Sequence, residues 1–279
     1  MLTSGISFVN FNKKNKSLRL GRNLQSIIND KNEILNSLSN NYRDSYKKNF
    51  VNKYKVFSNY RVIGMGGSIL GTRTIYEFLK HKIKKNFLFI DNLQNTLSQS
   101  KKKTVNIIVS KSGNTIETIT NSNIIIKKNN RNIFVTENKK NYLYRLAENL
   151  KGEIVYHNNY IGGRYSVLSE VGMLPAELMG LKSKNFRQFN SLIKNRRFLN
   201  SLINNVSSIL YYIKKRKFNS IIINYDEKSE SLFKWYQQLV AESLGKKKTG
   251  LLPIISNMPR DNHSVMQLYL DGFKKNFFT

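Results

Sequence analysis

The first 57 residues carry apolar side chains at helical spacing. Six apolar positions recur at intervals of three, four and seven residues between polar stretches: Leu24, Ile27, Ile28, Ile34, Leu35 and Leu38. This period is typical of helices with one buried face. We therefore predict a helical N-terminal segment over residues 1–57.

From Tyr60 the pattern changes to short apolar runs, each followed by a Gly or Ser turn and then by an amphipathic segment. The predicted strands are residues 61–63, 87–90, 105–109, 133–135 and 154–156. The predicted helices are residues 69–79, 116–127 and 141–150. Strands that alternate with helices in this way form a parallel, doubly wound sheet with helices on both faces. We predict one such α/β domain over residues 58–183.

The same pattern begins again after a long helical stretch at residues 186–214. Residues 221–225 are a predicted strand, residues 232–244 a predicted helix, and residues 276–279 the start of a further strand. We predict the start of a second α/β domain over residues 184–279, which is short for a complete doubly wound domain.

The composition limits which classes of protein and which kinds of chemical site the chain can form. At 279 residues and 40% hydrophobic, the chain can bury a core. It has no cysteine and three histidines, which excludes disulfides and thiolate metal sites and leaves little for a histidine metal site. Apolar runs are too short for a membrane helix, and residues 1–8 are too short for the core of a signal peptide. We expect a cytoplasmic protein.

The formal net charge of +30 is the strongest bias in the composition. Such a charge is typical of nucleic-acid-binding proteins. Here, however, lysine accompanies Asn, Ile, Phe and Tyr, which share AU-rich codons, and the charges are scattered, as at residues 101–103 and 246–248. We interpret the charge as a solvated surface of biased composition. A face that binds polyanions is the alternative.

A glycine-rich loop at residues 64–68, with the sequence GMGGS, follows the first predicted strand of the α/β series and precedes a helix. Its backbone N–H groups suit a phosphate or a nucleotide. A dinucleotide site is one alternative, because Asp91 ends the second strand, but Ile69 stands where the third glycine belongs. An ordinary tight turn is the other alternative.

A second loop, residues 110–115 with the sequence SKSGNT, follows the third predicted strand. Hydroxyls and a lysine at the start of a helix favour a phosphate monoester. A capping box from Thr115 to Thr118 is the alternative. Both loops follow the carboxyl ends of strands, where open α/β sheets bind ligands.

A third loop, residues 162–166 with the sequence GGRYS, carries Arg164 beside two glycines. Arg164 could bind an anion or stabilise a developing oxyanion in the same crevice. A surface arginine beside a turn is the alternative.

Five stretches together resemble the glucose-6-phosphate isomerase family. They are residues 64–71 (GMGGSILG), 110–118 (SKSGNTIET), 162–174 (GGRYSVLSEVGML), 237–246 (QQLVAESLGK) and 263–272 (HSVMQLYLDG). They occur in the family's order. The resemblance implies the sugar isomerase (SIS) fold, with two α/β lobes and a sugar-phosphate substrate between them.

The resemblance also implies roles for individual residues. Glu242 would be the catalytic base, and Arg164 would neutralise the negative charge on the enediol intermediate. His263 would reach the site from the neighbouring subunit of a homodimer and assist ring opening. The residues that would bind the substrate and its phosphate are Gly67, Ser68, Ser110, Lys111, Ser112, Thr115 and Gly163. The reaction moves one proton between C2 and C1, so a single carboxylate suffices without metal or cofactor. Burial would raise the pKa of Glu242, and Arg164 would lower it.

The chain also departs from the family pattern. Members of the family continue past the His263 motif and supply a lysine for ring opening and a glutamine near the substrate. We therefore expect a C-terminally truncated isomerase with a complete first lobe, an incomplete second lobe and doubtful activity. Leu244 and Leu168 replace the family's usual asparagine and tryptophan.

Two other functions stay open at this stage. One is a sugar-phosphate-binding SIS module without catalysis, which would not need the Glu242 and His263 motifs. The other is a basic nucleic-acid-binding protein, but no recognition motif accompanies the charge. We expect no membrane partner and no specific nucleic acid.

Overall fold

The computed structural model describes residues 18–93 and 103–279, and these fall into two compact units. The five-stranded unit contains residues 43–93, 103–186 and 231–239, and the three-stranded unit contains residues 18–42, 187–230 and 240–279. In chain order the α-helices are α1 (Leu18–Asn29), α2 (Glu33–Ser37), α3 (Lys48–Lys55), α4 (Leu70–Leu79), α5 (Ile116–Ile125), α6 (Tyr142–Asn149), α7 (Glu170–Leu178), α8 (Phe189–Leu192), α9 (Arg196–Lys214), α10 (Glu230–Leu244) and α11 (Met266–Asp271).

The five-stranded unit is built on a parallel sheet with the strand order β2-β1-β3-β4-β5. Its strands are β1 (Asn59–Gly64), β2 (Asn86–Ile90), β3 (Thr104–Val109), β4 (Arg131–Thr136) and β5 (Glu153–Tyr156). Every neighbouring pair is parallel. The order reverses between β1 and β3, as in other doubly wound sheets. The predicted doubly wound sheet is confirmed.

Both faces of this sheet are covered, which explains why its strands are apolar runs rather than alternating ones. On one face Tyr60, Val62 and Ile107 belong to a core that also contains residues of α4 and α7. On the other face Ile63 and Phe134 belong to a core that contains residues of α5 and α6. The predicted helices at 69–79, 116–127 and 141–150 are confirmed as α4, α5 and α6.

Helix α7 was not predicted, because its sequence has no helical period. The segment EVGMLPAEL is buried at every position except Glu177, and it contains Pro175. A helix that is apolar on all sides has no polar face to reveal its period. Helix α7 is buried because it lies between the sheet and neighbouring helices. This position cannot be predicted from the sequence.

The three-stranded unit contains a second parallel sheet with the order β7-β6-β8. Its strands are β6 (Asn219–Asn224), β7 (Leu252–Asn257) and β8 (Asn276–Phe278). The predicted strands at 221–225 and 276–279 are confirmed, whereas β7 was missed because Pro253 lies inside it. Asn195 caps the long helix α9 by accepting hydrogen bonds from the N–H groups of Arg197 and Phe198. No helix in the described residues is long and apolar enough to cross a membrane.

One buried hydroxyl ties α3 to the sheet. Tyr60 in β1 is 2% exposed, and its hydroxyl donates to the carbonyl oxygens of Tyr54 at 2.7 Å and Phe57 at 2.9 Å. These carbonyls lie at the C-terminal end of α3, and the Tyr54 carbonyl also accepts from the N–H of Phe57 at 3.2 Å. Burial raises the pKa of the Tyr60 hydroxyl, so it remains a donor at pH values where an exposed tyrosine ionises.

We predict that Tyr60→Phe lowers the free energy of unfolding by about 1 kcal/mol, because it removes the hydrogen bonds that the buried hydroxyl donates. Urea denaturation at pH 7 measures the change. The matched control is Tyr160→Phe, at a tyrosine of the same unit that is 81% exposed. Equal stability of the two variants would show that the Tyr60 hydroxyl contributes nothing.

Candidate functional site

The three loops singled out in the sequence gather at the carboxyl edge of the five-stranded sheet. The first loop (residues 64–69) follows β1 and the second (residues 110–115) follows β3. Gly64 and Val109 are register partners in these adjacent strands, so the two loops begin side by side. The third loop (residues 157–169) follows β5 and contains the short 3-10 helix Gly163–Leu168.

The first and third loops approach each other so closely that no side chain fits between their backbones. A Cβ atom added at Gly67 would lie 2.2 Å from the carbonyl carbon of Gly163. The Ser166 hydroxyl donates to the carbonyl oxygens of Gly163 at 2.7 Å and Gly67 at 3.2 Å. Gly71, at the start of α4, packs equally closely, since its Cβ would lie 2.5 Å from a methyl carbon of Val167. Glycine is therefore required at the contact itself.

A glutamine of α10 lies against the first loop. Gly66 has φ +52°, a left-handed conformation that favours glycine, and an added Cβ there would lie 2.7 Å from the side-chain nitrogen of Gln238. Trp235, in the same helix, donates from its indole N–H to the carbonyl oxygen of Arg164 at 3.1 Å. The sequence analysis assigned no role to either residue, although Gln238 lies inside the family-like stretch 237–246.

The second loop presents a pair of hydroxyls at the start of α5. Ser110 Oγ and Thr115 Oγ1 are hydrogen-bonded at 2.8 Å. Thr115 occupies the N-cap position of α5, but its side chain makes no capping hydrogen bond. The alternative of a capping box is therefore wrong. The first N–H groups of α5 have no intrahelical acceptor, which is the arrangement that favours an anion.

A neighbouring asparagine fixes the shape of the second loop. Gly113 has φ +65°, and a Cβ there would lie 2.1 Å from Oδ1 of Asn141. Asn141 accepts from the N–H of Tyr144 at 2.9 Å as the N-cap of α6, and it donates to Thr136 Oγ1 at 2.9 Å. The loop is thus held from one side by a helix N-terminus. Ser112 is exposed, and Ser110 is buried.

Lys111 points across the second loop and is held in place. Its Nζ donates to the carbonyl oxygen of Asn159 at 2.7 Å and lies 3.5 Å from Glu137. Lys139 lies 2.8 Å from the other oxygen of Glu137. Burial by itself raises the pKa of Glu137, but the hydrogen bond from Lys139 and the positive charges of Lys111 and Lys139 outweigh it and hold that pKa below its ordinary value.

Arg164 stands at the turn of the third loop, next to the Gly67 contact. Its guanidinium carbon lies 4.7 Å from the centre of the Tyr165 ring, and the residue is half-buried. Stacking on an aromatic ring orients a guanidinium while it keeps its charge. The arginine therefore lies half-buried in the third loop, beside the contact with Gly67, and its role in binding an anion stays a prediction.

A buried histidine–glutamate pair supports the third loop from below. His157 Nε2 lies 3.0 Å from the carbonyl oxygen of Ile161, and Nδ1 lies 3.5 Å from Glu170 Oε2. Since a carbonyl can only accept, Nε2 carries a proton. The other oxygen of Glu170 accepts from the N–H of Ser45 at 3.3 Å. Nothing in the sequence spacing indicates this pair, because its two members come from opposite ends of the loop.

The carboxylate proposed for a ribose is already engaged. Asp91, at the end of β2, forms a two-pronged ion pair with Arg73 of α4, with N–O distances of 2.8 Å and 3.0 Å. With Ile69 in place of the third glycine, this pairing argues against the dinucleotide alternative.

The structure places the remaining predicted residues in the other unit. Glu242 is an exposed residue of α10, and exposed His263 ends the 3-10 helix Arg260–His263 that follows β7. Asp261 holds that turn by accepting from the Ser256 hydroxyl at 2.9 Å and the Asn257 N–H at 3.0 Å. The residues gathered at the loops of the five-stranded unit are Gly67, Ser68, Ser110, Lys111, Ser112, Thr115, Gly163 and Arg164. Within the described ranges, no group of His, Asp and Glu could hold a metal ion.

Comparison with known proteins explains why these loops occur together. The family model described as "Phosphoglucose isomerase" matches residues 10–255. The chain belongs to the phosphoglucose isomerase family. It is 36% identical over 260 residues to a glucose-6-phosphate isomerase of Methanocaldococcus jannaschii, covering 85% of this chain and 64% of the relative. It is 30% identical over 253 residues to one of Campylobacter jejuni, covering 82% and 62%. The chain thus spans less than two thirds of the length of these curated relatives.

Solved structures confirm the fold that the resemblance implied. A hypothetical protein of Thermus thermophilus matches with a TM-score of 0.71 at 22% identity, over 93% of this chain and 68% of that one. A glucose-6-phosphate isomerase of Chlamydia trachomatis matches with a TM-score of 0.66 at 17% identity, over 91% and 62%. A tagatose-6-phosphate ketose/aldose isomerase of Escherichia coli matches with a TM-score of 0.58 at 14% identity, over 83% and 65%. The phosphoglucose isomerase family member described here has the sugar isomerase (SIS) fold.

The contact between the first and third loops yields a matched pair of variants. Gly67→Ala places a methyl group against a backbone and should cost at least about 2 kcal/mol of unfolding free energy. It should also weaken the binding of inorganic phosphate, because the loops must separate. Gly163→Ala faces no atom within 4 Å and should change stability by less than about 1 kcal/mol. Denaturation and phosphate titration measure both effects, and equal effects of the two variants would contradict the packing argument.

The Glu137 cluster predicts a defined dependence on pH. Since the pKa of Glu137 is lower in the folded chain than in the unfolded one, its ion pairs stabilise the protein above about pH 4.3, and this contribution is lost as the pH falls through the folded pKa. Glu137→Gln should therefore be less stable than the parent at pH 7, and the difference should shrink on acidification.

Two adjacent lysines test the cause of this shift. Lys139→Gln should move the pKa of Glu137 back up, because it removes the 2.8 Å partner. Lys140→Gln, at an exposed neighbour, should leave it unchanged. Carboxyl-carbon NMR titration of Glu137 gives the pKa directly. Equal shifts in both variants would mean that general charge, and not the hydrogen bond, sets the value.

Proposed function

We propose that this chain carries out glucose-6-phosphate isomerase chemistry, the interconversion of glucose 6-phosphate and fructose 6-phosphate through a cis-enediol. The observation that carries the proposal is the convergence of three loops at one sheet edge, with a hydroxyl pair and the start of α5 directed at the same place. Membership of the family and the names of its relatives supply the substrate and the reaction. The proposal includes a homodimer and a cytoplasmic location.

In this proposal the second loop binds the phosphate group. The hydroxyls of Ser110 and Thr115 are hydrogen-bonded to each other at 2.8 Å. They are therefore close enough to donate to oxygens of the same phosphate group when it binds. Ser112 and the Lys111 N–H add donors, and the partial positive charge of the α5 N-terminus favours the dianion. Ser68 donates from the first loop. Gly67, which packs against the backbone of Gly163, keeps the loop backbones close enough for all donors to reach one group.

The remaining residues would act on the sugar. In the aldose-to-ketose direction, Glu242 takes the proton from C2 and returns it to C1, and in the other direction it moves the proton from C1 to C2. The carboxylate therefore ends each turnover in its starting state. Arg164 offsets the negative charge of the enediol oxygens, and His263 of the neighbouring subunit assists ring opening. Glu242 is exposed in the single chain. In the proposal, bound substrate and the neighbouring subunit remove water from it.

Proton exchange with solvent is the sharpest test, because it reports the enediol step without requiring ring opening to be fast. The full chain is incubated in D₂O with fructose 6-phosphate, and deuterium entering C1 or C2 is followed by NMR. Glu242→Gln should lower this rate by about 10²–10⁴-fold, which is the usual contribution of a general base. The control is Glu227→Gln, at another exposed carboxylate of the same unit, which should exchange at the parent rate.

The same samples distinguish catalysis from binding alone. If the parent chain binds fructose 6-phosphate and Ser110→Ala does not, the loops bind phosphate as proposed. Binding without any exchange would overturn the isomerase assignment and would favour the non-catalytic sugar-phosphate module. Exchange that persists in Glu242→Gln would show that another group is the base.

A further inference from the structure

The edge of the five-stranded sheet opposite the phosphate loops is strongly basic. We call it the amino edge and define it as the segments where the five strands begin: residues 53–59, 80–86, 103–104, 127–131 and 151–153. Together these segments contain eleven lysines and arginines and one carboxylate, Glu153. The basic residues therefore lie where all five parallel strands start.

The sheet register brings these segments side by side. Asn59 of β1 pairs with Asn86 of β2 and with Thr104 of β3. Arg131, the first residue of β4, pairs with Val105 of β3. Since neighbouring strands are about 4.8 Å apart, the five strand starts span about 19 Å. Residues that are up to 100 positions apart in the sequence thus form one surface.

Most of the basic side chains at the amino edge face solvent. Only Lys85 is half-buried, and the others are exposed: Lys53, Lys55, Lys80, Lys82, Lys84, Lys103, Lys127, Lys128, Arg131 and Lys151. The single carboxylate, Glu153, is already in an ion pair with Lys53. The surface therefore has an excess of positive charge that the segments themselves do not neutralise.

Biased composition does not account for this distribution. At the opposite edge, the segments 65–69, 91–93, 110–115, 137–141 and 157–169 contain three lysines, one arginine and two carboxylates. A codon bias would enrich lysine at both edges. Favourable interaction with helix C-termini is another possible cause, but among α3, α4, α5 and α6 only α3 has basic residues in its last turn.

The charges at the amino edge are close enough to affect one another. Burial lowers the pKa of Lys85, and the positive charge of Lys55 lowers it further. The ammonium of Lys85 lies 5.4 Å from the centre of the Tyr60 ring and donates to the carbonyl oxygen of Lys55. Like charges that crowd in this way destabilise the isolated protein and favour a polyanionic partner.

We propose that the amino edge binds the phosphate backbone of double-stranded nucleic acid without reading its base sequence. A duplex carries one charge per about 1.7 Å of its axis, so a stretch as long as this edge presents about eleven phosphates. Single strands are instead bound through exposed aromatic rings, and the rings in these segments, Tyr54 and Phe57, are buried and half-buried. The interaction does not depend on the proposed isomerase activity, because the phosphate loops lie at the other edge.

The test measures binding of the full chain to a fluorescent 25-base-pair duplex of arbitrary sequence, by anisotropy from 50 to 300 mM salt. The amino-edge variant carries Lys55→Gln, Lys84→Gln, Lys103→Gln and Lys128→Gln, one change at the start of each of four strands. At 100 mM salt we expect its affinity to fall by at least tenfold. The slope of log affinity against log salt should become shallower by up to about 3.6, which is 0.9 for each lost phosphate contact.

A second variant with the same net charge provides the control. Arg22→Gln, Lys31→Gln, Lys194→Gln and Lys228→Gln change four exposed basic residues of the three-stranded unit that lie away from its strand starts, and affinity and slope should stay close to the parent values. Equal losses in both variants would mean that net charge alone drives binding, and absence of binding by the parent at 50 mM salt would also overturn the proposal.

A single strand or polyglutamate that competes as well as the duplex would overturn the assignment to double-stranded nucleic acid. Circular dichroism of each variant confirms that the chain is folded.

Discussion

The structure depends on one constraint, which is that every strand of a parallel sheet starts at one edge and ends at the other. In the five-stranded unit this constraint sets Gly64 beside Val109, and so it places two loops from distant parts of the sequence next to each other. It also separates two chemical environments within one small unit. The loops with glycines and hydroxyls lie at the carboxyl edge, and lysines and arginines dominate the amino edge.

At the carboxyl edge, the geometry is set by backbone contacts more than by side chains. Gly67 lies against the backbone of Gly163 without space for a Cβ atom of its own, and the Ser166 hydroxyl bonds to the carbonyl groups of both residues. Side chains then hold the loops from outside, as the His157–Glu170 pair and Asn141 do. Such an arrangement keeps N–H groups and hydroxyls in fixed positions before any anion arrives. Preorganised donors of this kind bind a charged group at a lower entropic cost.

Features that one residue type causes by itself can be predicted from the sequence. Features that depend on several residues brought together by the fold cannot. Short β-branched runs identify buried parallel strands, and GMGGS identifies a turn that needs glycine, so the sheet and its loops could be predicted. Helix α7 could not, since its uniform burial removes the helical period, and Pro253 conceals β7. Thr115 has the sequence position of a helix cap, yet its hydroxyl pairs with Ser110. The contact of Glu170 with His157 and the ion pair of Asp91 with Arg73 depend on partners that only the folded chain brings close.

The net charge is another property whose arrangement on the surface cannot be predicted from the sequence alone. A value of +30 describes the whole chain, and the scattered pairs and triplets of lysine in the sequence suggest an even distribution. The topology converts that scatter into a pattern, because in a parallel sheet the chain returns to the amino edge before each new strand. A lysine just before a strand therefore joins the lysines before all the other strands, however far apart they are in sequence. Charge that is dispersed along a doubly wound chain can still be concentrated on one surface, and only the strand order reveals it.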